Sequence, residues 1–218
     1  MNSSKTYDNV LFDLDGTLTD SFHGITNSVV YALKKFGIEV EDKRKLSVFI
    51  GPPLFESFSV HFGMSDDDAV RAVSYYREYY SEKGIYESVV YDGVVPLLEE
   101  LKARGKKLYV ATSKPEVFSV KIIEHFGLSK YFEFVAGALL DKSRIEKADI
   151  IKYAVATNKL DAGSCVMVGD RKHDILGAKE SGMTSIGVLY GYGSREELAS
   201  AGADYIVDTP TDILKLNI

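Results

Sequence analysis

The chain has 218 residues, 45% hydrophobic and 27% charged, an ordinary globular composition for about one to two domains that excludes disorder as its main state. Its 26 Lys and Arg against 32 Asp and Glu leave a formal charge of −6. This argues against gripping a nucleic-acid polymer or an anionic membrane by charge alone, whereas a small phosphorylated metabolite needs only a local positive pocket.

Asn9-Val10-Leu11-Phe12 is a short apolar run without alternation and predicts a strand buried on both faces. From about Phe22 to Tyr86 the spacing is helical. Ile25, Val29, Leu33 and Phe36 predict a first helix, ended by Gly37. A second helical piece near Asp42–Phe49 is broken by Gly51-Pro52-Pro53. A third helix is expected over Leu54–His61, before Gly63. A fourth starts at the capping Ser65 and reaches about Ser81. After Asp92-Gly93 helices and strands alternate: helix 95–104, strand 107–112, a helix 115–126 opening with Pro115, strand 133–136, a helix near 145–157, and strand 165–168. Helix 173–181, strand 185–189, helix 194–200, strand 204–207 and a last helix from Thr211 complete the chain. Such alternation predicts an α/β fold, a parallel sheet with helices on both faces. The helical block is an insertion after the first strand. No apolar run reaches the roughly 18 residues of a membrane span. The polar Met1–Lys5 predicts no signal peptide, and the single Cys165 excludes an intrachain disulfide framework. A cytoplasmic location is expected.

In open α/β sheets ligands bind beyond the carboxyl ends of the strands. Polar clusters stand at these ends: Asp13 and Asp15, then Thr112-Ser113-Lys114, then Asp141, Arg144 and Lys147, then Gly169-Asp170 with Asp174. Clustered carboxylates suit a hard cation such as Mg²⁺, and cations and hydroxyls suit phosphate oxygens. One carboxylate can attack phosphorus while a second, two residues on, moves the proton. An EF-hand reading of Asp13-x-Asp15 fails, because Leu18 and Gly24 stand where that loop needs Gly and Glu.

Phe12-Asp13-Leu14-Asp15-Gly16-Thr17-Leu18 is similar to the first motif of the haloacid dehalogenase superfamily. Thr112 resembles its second, a basic residue at 144–147 its third, and Gly169-Asp170 with Asp174 its fourth. The resemblance implies a Rossmann-like core over 1–18 and 88–218, a helical-bundle cap over 19–87, and Mg²⁺-dependent phosphate transfer. By it Asp13 is the nucleophile and a metal ligand. Asp15 is the acid/base and offers its backbone carbonyl to the metal. Thr112 and the Ser113 amide hold phosphate, Asp170 ligates Mg²⁺, and Asp174 orients the metal shell. Many relatives have a Lys-Pro third motif that this chain lacks, so Lys147 and Arg144 both qualify as the phosphate-neutralising cation, with Lys147 preferred. Asp15 argues against a dehalogenase, whose halide leaves without a proton.

Ile50-Gly51-Pro52-Pro53-Leu54, Ser143-Arg144 with Lys147, Gly169-Asp170-Arg171-Lys172-His173-Asp174 and Gly187-Val188-Leu189-Tyr190-Gly191-Tyr192-Gly193 resemble the 5′-nucleotidase-like branch, close to phosphoglycolate phosphatases. Ser113 in place of Asn, and the missing Lys-Pro, count against phosphoglycolate. Nucleoside 5′-monophosphates are therefore the expected substrates. Phosphoglycolate is the alternative, with a sugar phosphomutase and a non-catalytic phosphate sensor behind it. His23, Gly51 and Pro52 are candidate specificity residues. Tyr75, Tyr76, Tyr79 and Tyr80 are read as packing of the helical block, and Leu18–Ser21 and Glu87–Gly93 as hinges.

Overall fold

The computed structural model describes residues 7–141, 143–216 and 218; the polar start Met1–Lys5 lies outside them. In chain order the elements are β1 (Asn9–Phe12), β2 (Thr19–Asp20), α1 (Phe22–Lys34), α2 (Leu54–Phe62), α3 (Asp66–Glu82), β3 (Val89–Val90), α4 (Val94–Ala103) and β4 (Lys107–Pro115). They continue with α5 (Glu116–His125), β5 (Phe132–Ala138), α6 (Lys147–Asn158), β6 (Cys165–Gly169), α7 (Lys172–Glu180), β7 (Thr184–Val188), α8 (Arg195–Ala201) and β8 (Tyr205–Val207). Two units result. One is the chain up to Thr19 together with the chain from Val90 onward; the other is Asp20–Val89. The paired short strands β2 and β3 contain both crossing points. No helix among the described residues is long and apolar enough to cross a membrane.

The first unit is built on a six-stranded sheet of order β5-β4-β1-β6-β7-β8, with every pairing parallel. Val10, Leu11 and Phe12 are fully buried, which is why β1 reads as an unbroken apolar run rather than an alternating one. Leu11, Tyr109, Ala111, Ala136, Cys165 and Met167 pack with Ile150, Ile151 and Ala154 of α6 and Ala178 of α7. Val10, Phe12, Leu108, Val110 and Val168 point the other way by the strand period of two and are equally buried. Cys165 belongs to the core, where burial pushes its thiol up to about 11 and keeps it a small packing residue.

The sheet order places β1 between β4 and β6, where the chain's winding reverses direction. That is the switch point at which a crevice opens beyond the strand ends.

In the second unit α1 and α2 each pack on α3. Ser65 caps α3 by accepting from Asp68 N at 3.2 Å, and Asp66–Asp68 complement the positive helix start. Ala69, Ala72, Tyr76 and Tyr80 form the buried stripe of α3, the two tyrosine rings stacked at 5.3 Å.

The expected second helical piece is present as a 3-10 helix, Lys43–Phe49, started by Asp42 accepting from Arg44 N at 3.0 Å; only Leu46 and Phe49 within it are buried. The expected last helix is likewise a 3-10 helix, Pro210–Lys215. Other expectations need correction. Pro115 ends β4 instead of opening α5, because the residue before a proline is held extended and Pro115 itself has ψ 129°. The two-residue strands β2 and β3 carry no period that a sequence pattern could show. Finally, α6 begins at Lys147, leaving Arg144 in the preceding loop.

Candidate active site

Asp13 follows directly on β1 and continues its ladder by one step, donating its N–H to Val168 O at 2.9 Å. The chain then turns tightly. Leu14 O accepts from Leu18 N at 2.9 Å and Thr19 N at 3.0 Å, and Gly16 N donates to Thr19 O at 2.8 Å. Gly16 has φ +83°, and a Cβ there would overlap the Asp170 carboxylate. Asp170 follows β6 with no exposed surface, and its Oδ2 accepts from Tyr192 N at 2.8 Å. Gly191 and Gly193 also lie against Asp170: their added Cβ atoms would overlap Gly16 O and Asp170 Cβ, and Asp170 O, respectively. The Tyr190–Gly193 loop is thus a clamp on Asp170.

A Gly191→Ala variant is expected to lose about 1–3 kcal/mol of stability by overpacking and to weaken cation binding at Asp170. A cation-dependent rise in Tm equal to that of the parent protein would contradict the clamp.

Carboxylate oxygens of Asp13, Asp170 and Asp174 all lie within 4.8 Å of one another, and all three residues are buried. The Lys147 ammonium stands among them, 2.8 Å from Asp13 Oδ1, 2.7 Å from Asp174 Oδ1 and 3.0 Å from Ala111 O. Asp174 also accepts from Arg171 N at 3.0 Å through Oδ2, which ties it to the start of α7. Burial, with the Asp174 and Asp13 charges behind it, drives the Asp170 carboxyl well above the usual carboxylate range. Burial likewise pushes Asp174 up to about 6, with Lys147 opposing and Asp13 adding. For Lys147 burial works against the charge, but Asp13 and Asp174 outweigh it and raise the ammonium above its ordinary value.

The donor set fits a hard divalent cation on three grounds. The donors are carboxylate oxygens. Among the described residues Asp170 Oδ1 is buried without a hydrogen-bond partner, while Asp13 Oδ1 and Asp174 Oδ1 meet Lys147 by distance but receive no hydrogen bond of good geometry. Four carboxyl groups, counting Asp15, face two buried lysines here, so a divalent cation would supply the two positive charges that balance them when all four are ionised.

The Asp15 side chain stands outside this triad. Its Oδ2 accepts from Lys114 Nζ at 2.6 Å, and its Oδ1 is buried without a hydrogen-bond partner among the described residues. Thr112 is 1% exposed, and its Oγ1 accepts from Lys114 N at 3.2 Å, leaving the hydroxyl proton to donate elsewhere. Ser113 lies half-buried beside it.

Arg144 is not brought to the carboxylates. Its Nε donates to Gly137 O at 2.9 Å, a terminal nitrogen pairs with Glu116 Oε2 at 2.7 Å, and its guanidinium lies 3.6 Å from the Tyr153 ring centre. These contacts hold the group in the loop ahead of α6, and it is Lys147 that stands among the carboxylates. Asp141 makes a local turn, accepting from Ser143 N at 2.9 Å and from Ser143 Oγ at 2.7 Å. His23, Gly51 and Pro52 belong to the second unit. There His23 is exposed with its ring edge-on to Phe22 at 5.4 Å, and Gly51 has φ +101°.

Two features escaped the sequence reading. One is the Lys114–Asp15 pair, for which a Lys two residues past a strand-end Thr was the only signal. The other is the clamping role of the Tyr190–Gly193 loop, signalled by its two glycines. Tyr190 itself has a buried hydroxyl with no partner among the described residues, and its ring meets Tyr91 edge-on at 5.2 Å.

The family model described as haloacid dehalogenase-like hydrolase matches residues 10–188. A Pseudomonas aeruginosa protein named 5′-nucleotidase is 47% identical over 90% of this chain and 89% of its own. A Mycobacterium tuberculosis protein named tyrosine-protein kinase PtkA is 39% identical over 94% of this chain and 67% of its own. A Vibrio parahaemolyticus phosphoglycolate phosphatase is 28% identical over 95% and 94%. Among solved structures, one described as a predicted phosphatase from Clostridium acetobutylicum superposes with a TM-score of 0.91 at 48% identity, covering 97% of this chain and 100% of that one.

Proposed function

Because the chain belongs to the haloacid dehalogenase-like hydrolase family and is a phosphatase of it, we propose that it hydrolyses small phosphomonoesters, nucleoside 5′-monophosphates foremost, through a phosphoryl group carried on Asp13. The observation that carries this reading is a pair of carboxylates two residues apart at the end of β1, each held by its own buried lysine: Asp13 by Lys147 at 2.8 Å and Asp15 by Lys114 at 2.6 Å.

Asp13 attacks phosphorus with a carboxylate oxygen, the bond to the leaving oxygen breaks, and Asp15 gives that oxygen its proton. In the second half Asp15 takes a proton from water, the resulting hydroxide attacks the phosphoryl group, and Asp13 is released as carboxylate. Lys147 neutralises Asp13 and the arriving phosphate together. The Thr112 hydroxyl and the Ser113 amide hold the other phosphate oxygens. Asp13 and Asp170, with the Asp15 carbonyl, would hold Mg²⁺, which supplies fixed positive charge beside the phosphate oxygens. Asp174 sets the position of Lys147 and the edge of that shell.

Nucleotide substrates are supported by the 47% identity to the protein named 5′-nucleotidase, by Ser113 where phosphoglycolate phosphatases usually have Asn, and by the absent Lys-Pro.

Phosphate release in Mg²⁺ across nucleoside 5′-monophosphates, 2-phosphoglycolate, sugar phosphates and phosphotyrosine tests the proposal, with Asp13→Asn as blank. The nucleotides are expected to lead in kcat/KM. A lead for phosphoglycolate or phosphotyrosine would overturn the substrate assignment and leave the carboxylate chemistry standing. An isomerised sugar phosphate without free phosphate would overturn hydrolysis itself.

Divalent cation is also expected to raise Tm, and Asp170→Asn to remove most of that rise. An undiminished rise in Asp170→Asn would place the cation elsewhere.

A further inference from the structure

We propose that Lys114 is a positioning residue for the proton-transfer group. It binds Asp15 Oδ2 and so presents Asp15 Oδ1 as the oxygen that carries the proton; this rests on the reading of Asp15 as the acid.

The pair is built rather than incidental. Lys114 and Asp15 side chains are 6% and 14% exposed, with Nζ 2.6 Å from Oδ2. A surface ion pair contributes little and orients little, because both side chains move freely. A buried pair is different, because either partner alone would be a desolvated charge, so the two hold each other in one geometry.

The backbone is shaped to deliver this lysine. β4 and β5 run in register from Tyr109 opposite Phe134 to Thr112 opposite Gly137, and the next pair is Pro115 opposite Ala138. Ser113 and Lys114 are therefore extra residues in a bulge, a device that re-aims side chains near sites. Gly137 lets the bulge come close, since a Cβ there would crowd Lys114 O and the Glu116 backbone. The Lys114 N–H meets Thr112 Oγ1 at 3.2 Å. One bulge thus orients both the hydroxyl assigned to phosphate and the ammonium that holds the acid.

The bond from Lys114 restrains Oδ2. Oδ1, buried and without a hydrogen-bond partner among the described residues, is the oxygen left to protonate the leaving group. A proton shared with the ammonium side would be useless for that step. Lys114 touches neither phosphorus nor the leaving oxygen in this scheme; it acts through Asp15.

The test compares kcat/KM for p-nitrophenyl phosphate, whose leaving group needs no proton, with kcat/KM for a nucleoside 5′-monophosphate, whose alkoxide does. Lys114→Met is expected to lose about 100-fold on the nucleotide and only a few-fold on p-nitrophenyl phosphate, and Lys114→Arg to recover much of the difference. Asp15→Asn is measured beside it. Selective loss in Asp15→Asn with uniform or no loss in Lys114→Met would overturn the Lys114 assignment alone. Uniform loss in Asp15→Asn would overturn the acid reading on which it rests. If Lys114→Met does not fold, Lys114→Gln is put to the same comparison with the same criteria.

Discussion

Asp13→Asn is expected to lower kcat by at least about ten-thousand-fold while the protein stays folded. The amide keeps the shape of the carboxylate but removes the oxygen nucleophile. Folding survives because Lys147 keeps two partners, Asp174 Oδ1 at 2.7 Å and Ala111 O at 3.0 Å. The substitution also removes one of three mutually repelling buried carboxylates, so the Tm of the metal-free variant should match or exceed that of the parent. Circular dichroism and Tm check the fold, and phosphate release checks the chemistry. In the parent protein, acid quenching during turnover should yield a phosphoryl adduct on the peptide containing Asp13. Turnover by Asp13→Asn near the parent rate would refute the assignment.

Lys147→Met and Arg144→Met should fail differently. Loss of the Lys147 ammonium strands Asp13 and Asp174 as buried charges, and breaking such a set by removing one partner costs about 3–5 kcal/mol. The variant should therefore unfold at clearly lower denaturant and lose activity by several orders of magnitude. Added divalent cation should return part of the stability, since it replaces positive charge among the same carboxylates. Arg144→Met loosens the loop before α6 by removing its hold on Glu116, Gly137 O and Tyr153. It should lower Tm modestly and leave most activity. Equal losses of activity in the two variants would mean that Arg144 reaches the phosphate after all.

These contrasts mark where the sequence was legible. Asp13, Asp15, Asp170 and Asp174 could be picked out because their meaning is local: each sits at or just past the end of a short apolar strand, at a spacing of two or four residues. The choice between Lys147 and Arg144 was not local. Three residues separate them, and the decision depended on where α6 begins and on which neighbours absorb the guanidinium. Lys114 was harder still, because nothing near it in sequence names Asp15 as its partner.

By itself the sequence determined the α/β class, the order of strands and helices along the chain, and the four carboxylates, since apolar runs, capping residues and glycine breaks act over a few residues. Only the tertiary structure decided which lysine meets which aspartate and why Gly191 and Gly193 cannot carry side chains. Those facts follow from β1 lying between β4 and β6, which brings residues about a hundred or more positions apart in sequence within hydrogen-bond distance. Charge pairing in a buried site depends on distance in space, and strand order, not sequence separation, sets that distance.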